Sequence, residues 1–161
     1  MLVPSEHWNH MKEQIRYEDW IWLWRGPGCE LMFGQDLPYP GALRGMRRLA
    51  AMSDVAVISH RPRSAAAPTL KWLSSVRAEI SSVHILGAGM PKSNILPHAD
   101  VYIDDKPEVV LDYLENTSAT VLVPIRSWNL EFLESHKTIK RVVSYENWKE
   151  VTVWVRTHGQ S

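Results

Sequence analysis

From residue 54 onward, short runs that are apolar at nearly every position alternate with longer stretches that are apolar at every third or fourth. The runs 54–58, 83–86, 101–105, 119–124 and 141–144 predict strands. Between and after them, Ala42, Leu43, Met46, Leu49 and Met52 share one helical face, as do Leu70, Trp72 and Leu73 in a helix over 65–76. Further helices are expected over 108–114 and, with Trp148, Val151 and Val155 on one side, over 145–156. Strands without polar alternation, separated by helix-length segments, imply an α/β fold built on a parallel sheet covered on both faces.

Residues 1–39 differ. They carry Trp8, Trp20, Trp22 and Trp24 with Tyr17, Phe33 and Tyr39. Trp8, Met11, Ile15, Trp20 and Leu23 follow helical spacing, with Ser5 placed to cap the start, so one or two short helices are expected. Arg25-Gly26-Pro27-Gly28 breaks that pattern, and the proline-rich connector 35–41 marks a boundary between a Trp-rich helical segment, 1–39, and an α/β core, 40–161. The aromatic face has two readings: packing against a neighbouring domain, or lining a pocket where a base or sugar stacks.

Charge removes several classes of function. Eighteen Lys and Arg balance eighteen Asp and Glu, so no global field draws the chain to nucleic acid or to an anionic membrane. Arg44, Arg47 and Arg48 read as a solvated helix face. A single cysteine, Cys29, excludes an internal disulfide and a Cys-rich zinc site, and reads as a small semi-buried hydrophobe. No apolar run approaches the ~20 residues of a membrane span, and the N-terminus lacks a signal-peptide pattern. A soluble, cytoplasmic protein is the expectation.

In parallel sheets ligands bind beyond the carboxyl ends of the strands. Ser59, the loop 87–92 and the pair Asp104-Asp105 all fall there, so three distant parts of the chain should meet on one rim. Ser59, His60 and Arg61 offer a hydroxyl and donors suited to phosphate oxygens, although the same residues also make an ordinary polar loop. Lys92 is either an exposed loop lysine or a point charge for those oxygens. The adjacent carboxylates Asp104 and Asp105 repel unless a cation such as Mg²⁺ answers them; the plain alternative is that Asp104 caps the next helix and Asp105 is solvated.

Taken in order, Pro40-Gly41-Ala42 opening a helix, Val57-Ile58-Ser59 with Arg61-Pro62, Lys92, and Asp100 to Pro107 with its Ile103-Asp104-Asp105-Lys106-Pro107 core resemble the second, third and fourth motifs of the haloacid dehalogenase (HAD) superfamily, closest to its 5′(3′)-deoxyribonucleotidase-like branch. The resemblance spans about residues 8–155. It implies a Rossmann-like three-layer parallel sheet with a small N-terminal helical cap, and Mg²⁺-dependent hydrolysis of a phosphate monoester such as a nucleotide through an aspartyl-phosphate. Carried over, Ser59 and Lys92 are the catalytic phosphate contacts, with His60 and Arg61 beside them. Asp104 and Asp105 hold the metal, and Trp20, Trp22 or Trp24 faces the substrate or a partner.

The family's first motif, a central strand ending Asp-x-Asp that supplies the nucleophile, has no counterpart in 1–161. Asp19, Asp36, Asp54 and Asp112 all stand in other settings. The implication is little or no turnover by these residues alone, because the catalytic strand lies upstream or because the protein is a pseudo-phosphatase. The alternative is an interaction module that binds a protein or nucleotide, or self-associates, with no catalysis. A further expectation is a gap in the sheet between the 55–58 and 101–105 strands.

Overall fold

The computed structural model describes residues 15–35, 37–77 and 79–159. Ser5, Trp8, Met11 and Asp36 lie outside them. The fold is mixed α/β. In chain order it comprises α1 (Tyr17–Arg25), α2 (Cys29–Phe33), α3 (Ala42–Ala50), β1 (Ala56–Ser59), α4 (Ala66–Ser75), β2 (Ser82–Ile85), β3 (Val101–Ile103), α5 (Pro107–Asn116), β4 (Thr120–Pro124), α6 (Leu130–His136), β5 (Val142–Tyr145) and α7 (Trp148–His158). Short 3₁₀ turns at Arg63–Ala65, Lys92–Asn94 and Ser127–Asn129 link some of them.

Every strand pair is parallel, as the unbroken apolar runs require, but the strands form two sheets. β1 pairs with β2, and β3, β4 and β5 pair in that order. The sheet is therefore divided between β1 and β3 among the described residues, where a gap was expected.

Local signals set the helix limits. Gly41 takes φ +81° ahead of α3, a backbone conformation that glycine adopts without strain. Pro107 stands in the first turn of α5, where its missing N–H costs nothing. The Asn147 side chain accepts from Lys149 N at 3.1 Å and Glu150 N at 3.3 Å, which starts α7 at Trp148. Tyr145, assigned by its pattern to that helix, ends β5 instead. It pairs with Pro124, its carbonyl accepts from Ile125 N at 2.9 Å, and its ring is buried. Two short helices, α2 and α6, went unforeseen.

The side chains of β4 divide between two apolar clusters. Val121 and Val123 pack with Val109, Val110 and Tyr113 of α5, while Leu122 packs with Leu49 of α3 and Val151 of α7. Helices thus cover both faces of this sheet. α3 and α7 meet closely, for a Cβ at Gly45 would stand 2.7 Å from the Trp148 ring. A third cluster joins Cys29, Phe33 and Ala65 with Trp24 and Met32, and so fastens the N-terminal helices to the turn after β1. Cys29, at 3% exposure, is the small hydrophobe its isolation suggested.

Candidate functional site

β1 ends at Ser59, whose Oγ accepts from Arg61 N at 3.2 Å and turns the chain sharply out of the strand. The next residue, His60, reaches across with Nε2 to the Met90 carbonyl at 2.8 Å, joining the loop after β1 to the loop after β2. Two residues on, Lys92 Nζ donates to Asp104 Oδ2 at 2.7 Å, where β3 ends. These two links bring the carboxyl ends of β1, β2 and β3 to one rim. The lysine and aspartate side chains are 12% and 9% exposed.

A partly buried ion pair needs its geometry held, because each charge has lost much of its water. Asp104 is held by Oδ1, which accepts from Lys106 N at 3.1 Å, and by its own N–H, which donates to Leu122 O at 3.3 Å. The first of these bonds ends β3 at Ile103, so Asp104 and Asp105 stand just past the strand and not within it. Lys92 is positioned through its neighbour. Ser93, 2% exposed, donates through N at 3.1 Å and Oγ at 2.7 Å to the two carboxylate oxygens of Asp112 on α5. Asp112 is thus an anchor for the lysine turn, a role that its sequence position inside a helix did not suggest.

Asp105 sits beside this pair. Burial, and secondarily the Asp104 charge, push its carboxyl above the ordinary carboxylate range, while a backbone hydrogen bond, Arg126 and Lys92 pull in the opposite direction. Its carbonyl accepts from Asn129 Nδ2 at 3.0 Å. The same amide donates to Pro124 O at 2.9 Å, and Asn129 Oδ1 accepts from Arg126 N at 3.0 Å. Fully buried Asn129 therefore ties the ends of β3 and β4 together. It too was missed. A lone asparagine after a strand gives no sequence signal beyond a possible turn.

The remaining candidates are distributed differently. Arg61 turns toward the N-terminal helices: Nη1 donates to Phe33 O at 3.3 Å and Thr69 Oγ1 at 3.1 Å, and its guanidinium lies 4.8 Å from the Phe33 ring centre. Trp20 and Trp24 stack on each other at 4.9 Å, and Trp24 meets Phe33 edge-on at 5.1 Å. Trp22 is 47% exposed. The three tryptophans therefore do not share one face.

The two adjacent carboxylates face Lys92 and, as a further positive charge, Arg126, and both Asp104 oxygens are engaged, Oδ2 by Lys92 Nζ and Oδ1 by Lys106 N. That donor set fits a hard divalent cation held through one or two carboxylates, with water and phosphate completing its shell. Among the described residues no group of three or more His, Cys, Asp or Glu side chains converges as an all-protein metal cage. No helix among them is long and apolar enough to cross a membrane. No protein-family model matches this chain, and no curated protein does either.

Proposed function

We propose that the rim is a phosphate-monoester site of the HAD type, and that residues 1–161 bind such a ligand, a nucleotide being the expected class, without turning it over. The single observation that carries this reading is the partly buried Lys92–Asp104 pair, with Asp105 beside it, at the carboxyl ends of parallel strands. In this reading the N-terminal helices are the cap of a three-layer, Rossmann-like core whose first central strand is missing.

The chain's own groups have distinct tasks. Ser59 Oγ donates to a phosphate oxygen and Lys92 Nζ supplies positive charge, while the His60 ring, bonded to the Met90 carbonyl, holds their loops together. Asp104 and Asp105 would hold Mg²⁺, which when bound neutralises phosphate oxygens. A carboxylate nucleophile is the missing part, and its loss removes nearly all turnover, since the surviving members of a catalytic unit do not replace it.

Titration calorimetry with inorganic phosphate and Mg²⁺ tests the site. Binding that needs both, weakens in Ser59→Ala and disappears in a folded Asp104→Asn variant is the expected result; no binding by the unaltered chain refutes the site. Turnover of a chromogenic phosphate monoester that Asp104→Asn abolishes would overturn the claim of inactivity.

One observation favours a second reading. Tyr17, Trp22 and Leu31 on α1 and α2, with Tyr39 just after them, are 47–70% exposed, a concentration of apolar surface suited to a protein contact. If that is the function, Trp22→Ala loses a captured partner while phosphate binding is unchanged.

A further inference from the structure

Among the described residues, the facing edges of β1 and β3 have no strand between them. Neighbouring residues of a parallel strand turn their backbone groups to opposite sides. Ser59 O accepts from Leu86 N at 2.9 Å, so Ser59 and Val57 face β2. Ala56 and Ile58 therefore face away from it. On β3, Asp100 O accepts from Thr120 N at 3.1 Å and Asp104 N donates to Leu122 O at 3.3 Å, which leaves Val101 and Ile103 facing away from β4.

Those same four residues, Ala56, Ile58, Val101 and Ile103, line one cavity of about 790 Å³, which Val57 and Ser59 do not touch. Each brings an N–H and a C=O for which no described residue supplies a backbone partner. Two half-buried strand edges aimed into one slot are costly unless something pairs with them. A small ligand cannot satisfy an alternating ladder on both sides. An extended peptide can.

The slot also specifies its occupant. Leu49 and Val155 belong to the cluster on one face of the sheet, Tyr102 and Tyr113 to the cluster on the other, and all four line the cavity. Side chains of an inserted strand would meet apolar surface whichever way they point, so the strand must be apolar at successive positions, as buried parallel strands are. The His60–Met90 and Lys92–Asp104 links set the carboxyl ends of β1 and β3 on the same rim, so one insert meets both edges in the same sense.

Residues 1–161 have no such segment to spare. Its apolar runs already form β1 to β5, and the longest in the segments outside the described residues is Met1-Leu2-Val3, stopped by Pro4. A second copy brings only the same runs. We propose that the slot between β1 and β3 binds one extended apolar polypeptide segment from outside residues 1–161, added as a strand that joins the two sheets into one. This rests on the strand edges and the cavity, and is independent of what binds at the rim.

The test uses the unaltered chain and two fluorescein-labelled peptides, Lys-Lys-Val-Ile-Val-Ile-Lys-Lys and the same peptide with both isoleucines replaced by proline. Proline at alternate positions keeps apolar side chains but removes the donors for one edge. The expected result is saturable one-to-one binding by anisotropy, at least tenfold weaker for the proline peptide. Amide exchange should slow at Ala56, Ile58, Val101 and Ile103, with little change at Val57 and Tyr102, already in ladders. Equal binding of the two peptides overturns the proposal. So does absence of saturable binding up to the peptide's solubility limit, or protection gained only elsewhere.

Discussion

In β4, Val121, Leu122 and Val123 are at most 1% exposed, whereas no residue of β1 or β2 is buried. Composition does not explain the contrast, since Ala56-Val57-Ile58 is as apolar as Val121-Leu122-Val123. Position does. β4 has a strand on each side and helices over each face; β1 has β2 on one side and the open slot on the other. A strand's burial, and with it most of its contribution to stability, is set by its neighbours more than by its own residues. The molecule is thus a well-packed half, β3 to β5, carrying a looser half, β1 and β2.

Apolar contacts join the halves, Ile58 on the Tyr102 cluster and Val55 on the Leu122 cluster, and a polar link adds to them. Lys92 follows β2 and Asp104 follows β3, so their ion pair bridges the two sheets. Lys92→Met would leave two neighbouring carboxylates partly buried with no lysine. It should cost about 3 kcal/mol in urea unfolding, the low end of the usual range for removing one partner of a buried pair, since both side chains keep some exposure. The double change Lys92→Met with Asp104→Leu should recover much of that loss. A double variant no more stable than the single one would mean that the pair adds nothing to the joining of the sheets.

The next largest effect compares the halves through one substitution. Val121→Ala opens a cavity in a fully enclosed site and should cost about 2–3 kcal/mol. Val57→Ala, half-buried beside the loose edge, should cost about 1 kcal/mol or less. Equal losses would show β1 to be as tightly packed in solution as β4. Native-state amide exchange then tests the contrast without mutation. Val57 and His84 amides should open at least tenfold more readily than those of Leu122 and Val143, a difference of about 1.4 kcal/mol or more.

How far the sequence anticipates this picture follows the same division. All five strands were legible because each is a short apolar run bounded by polar or turn residues, and their parallel pairing followed from the lack of polar alternation. Strand ends shifted by one or two residues, where side chains such as Asp104 and Asn147 cap the chain. α6 escaped notice because Leu130-Glu131-Phe132-Leu133 is too short to establish a helical period. Tyr145 looked helical because its aromatic neighbour Trp148 begins a helix. Ser59, Lys92 and Asp104 could be placed on one rim by topology, yet the parts that hold them there, Ser93 on Asp112 and Asn129 across two strand ends, depend on contacts between distant segments that no local pattern encodes. That Trp20 and Trp24 turn to each other while Trp22 faces outward is likewise a matter of tertiary packing.

The smallest expected effect lies where the two halves meet, at Asp105. Its carboxyl is raised mainly by burial and then by the Asp104 charge. The folded protein therefore holds that proton more tightly than the unfolded chain does. The stabilising contribution is full below the ordinary carboxylate range and is lost as pH rises through the folded-state value. Asp105→Asn removes this ionisation and leaves untouched the backbone carbonyl that accepts from Asn129. In urea unfolding with chelator present, the variant should be more stable than the parent at pH 8, with the advantage shrinking toward pH 4. If the variant is instead less stable at pH 8, the ionised Asp105 is compensated by its surroundings, and its charge is not a cost that a bound cation needs to relieve.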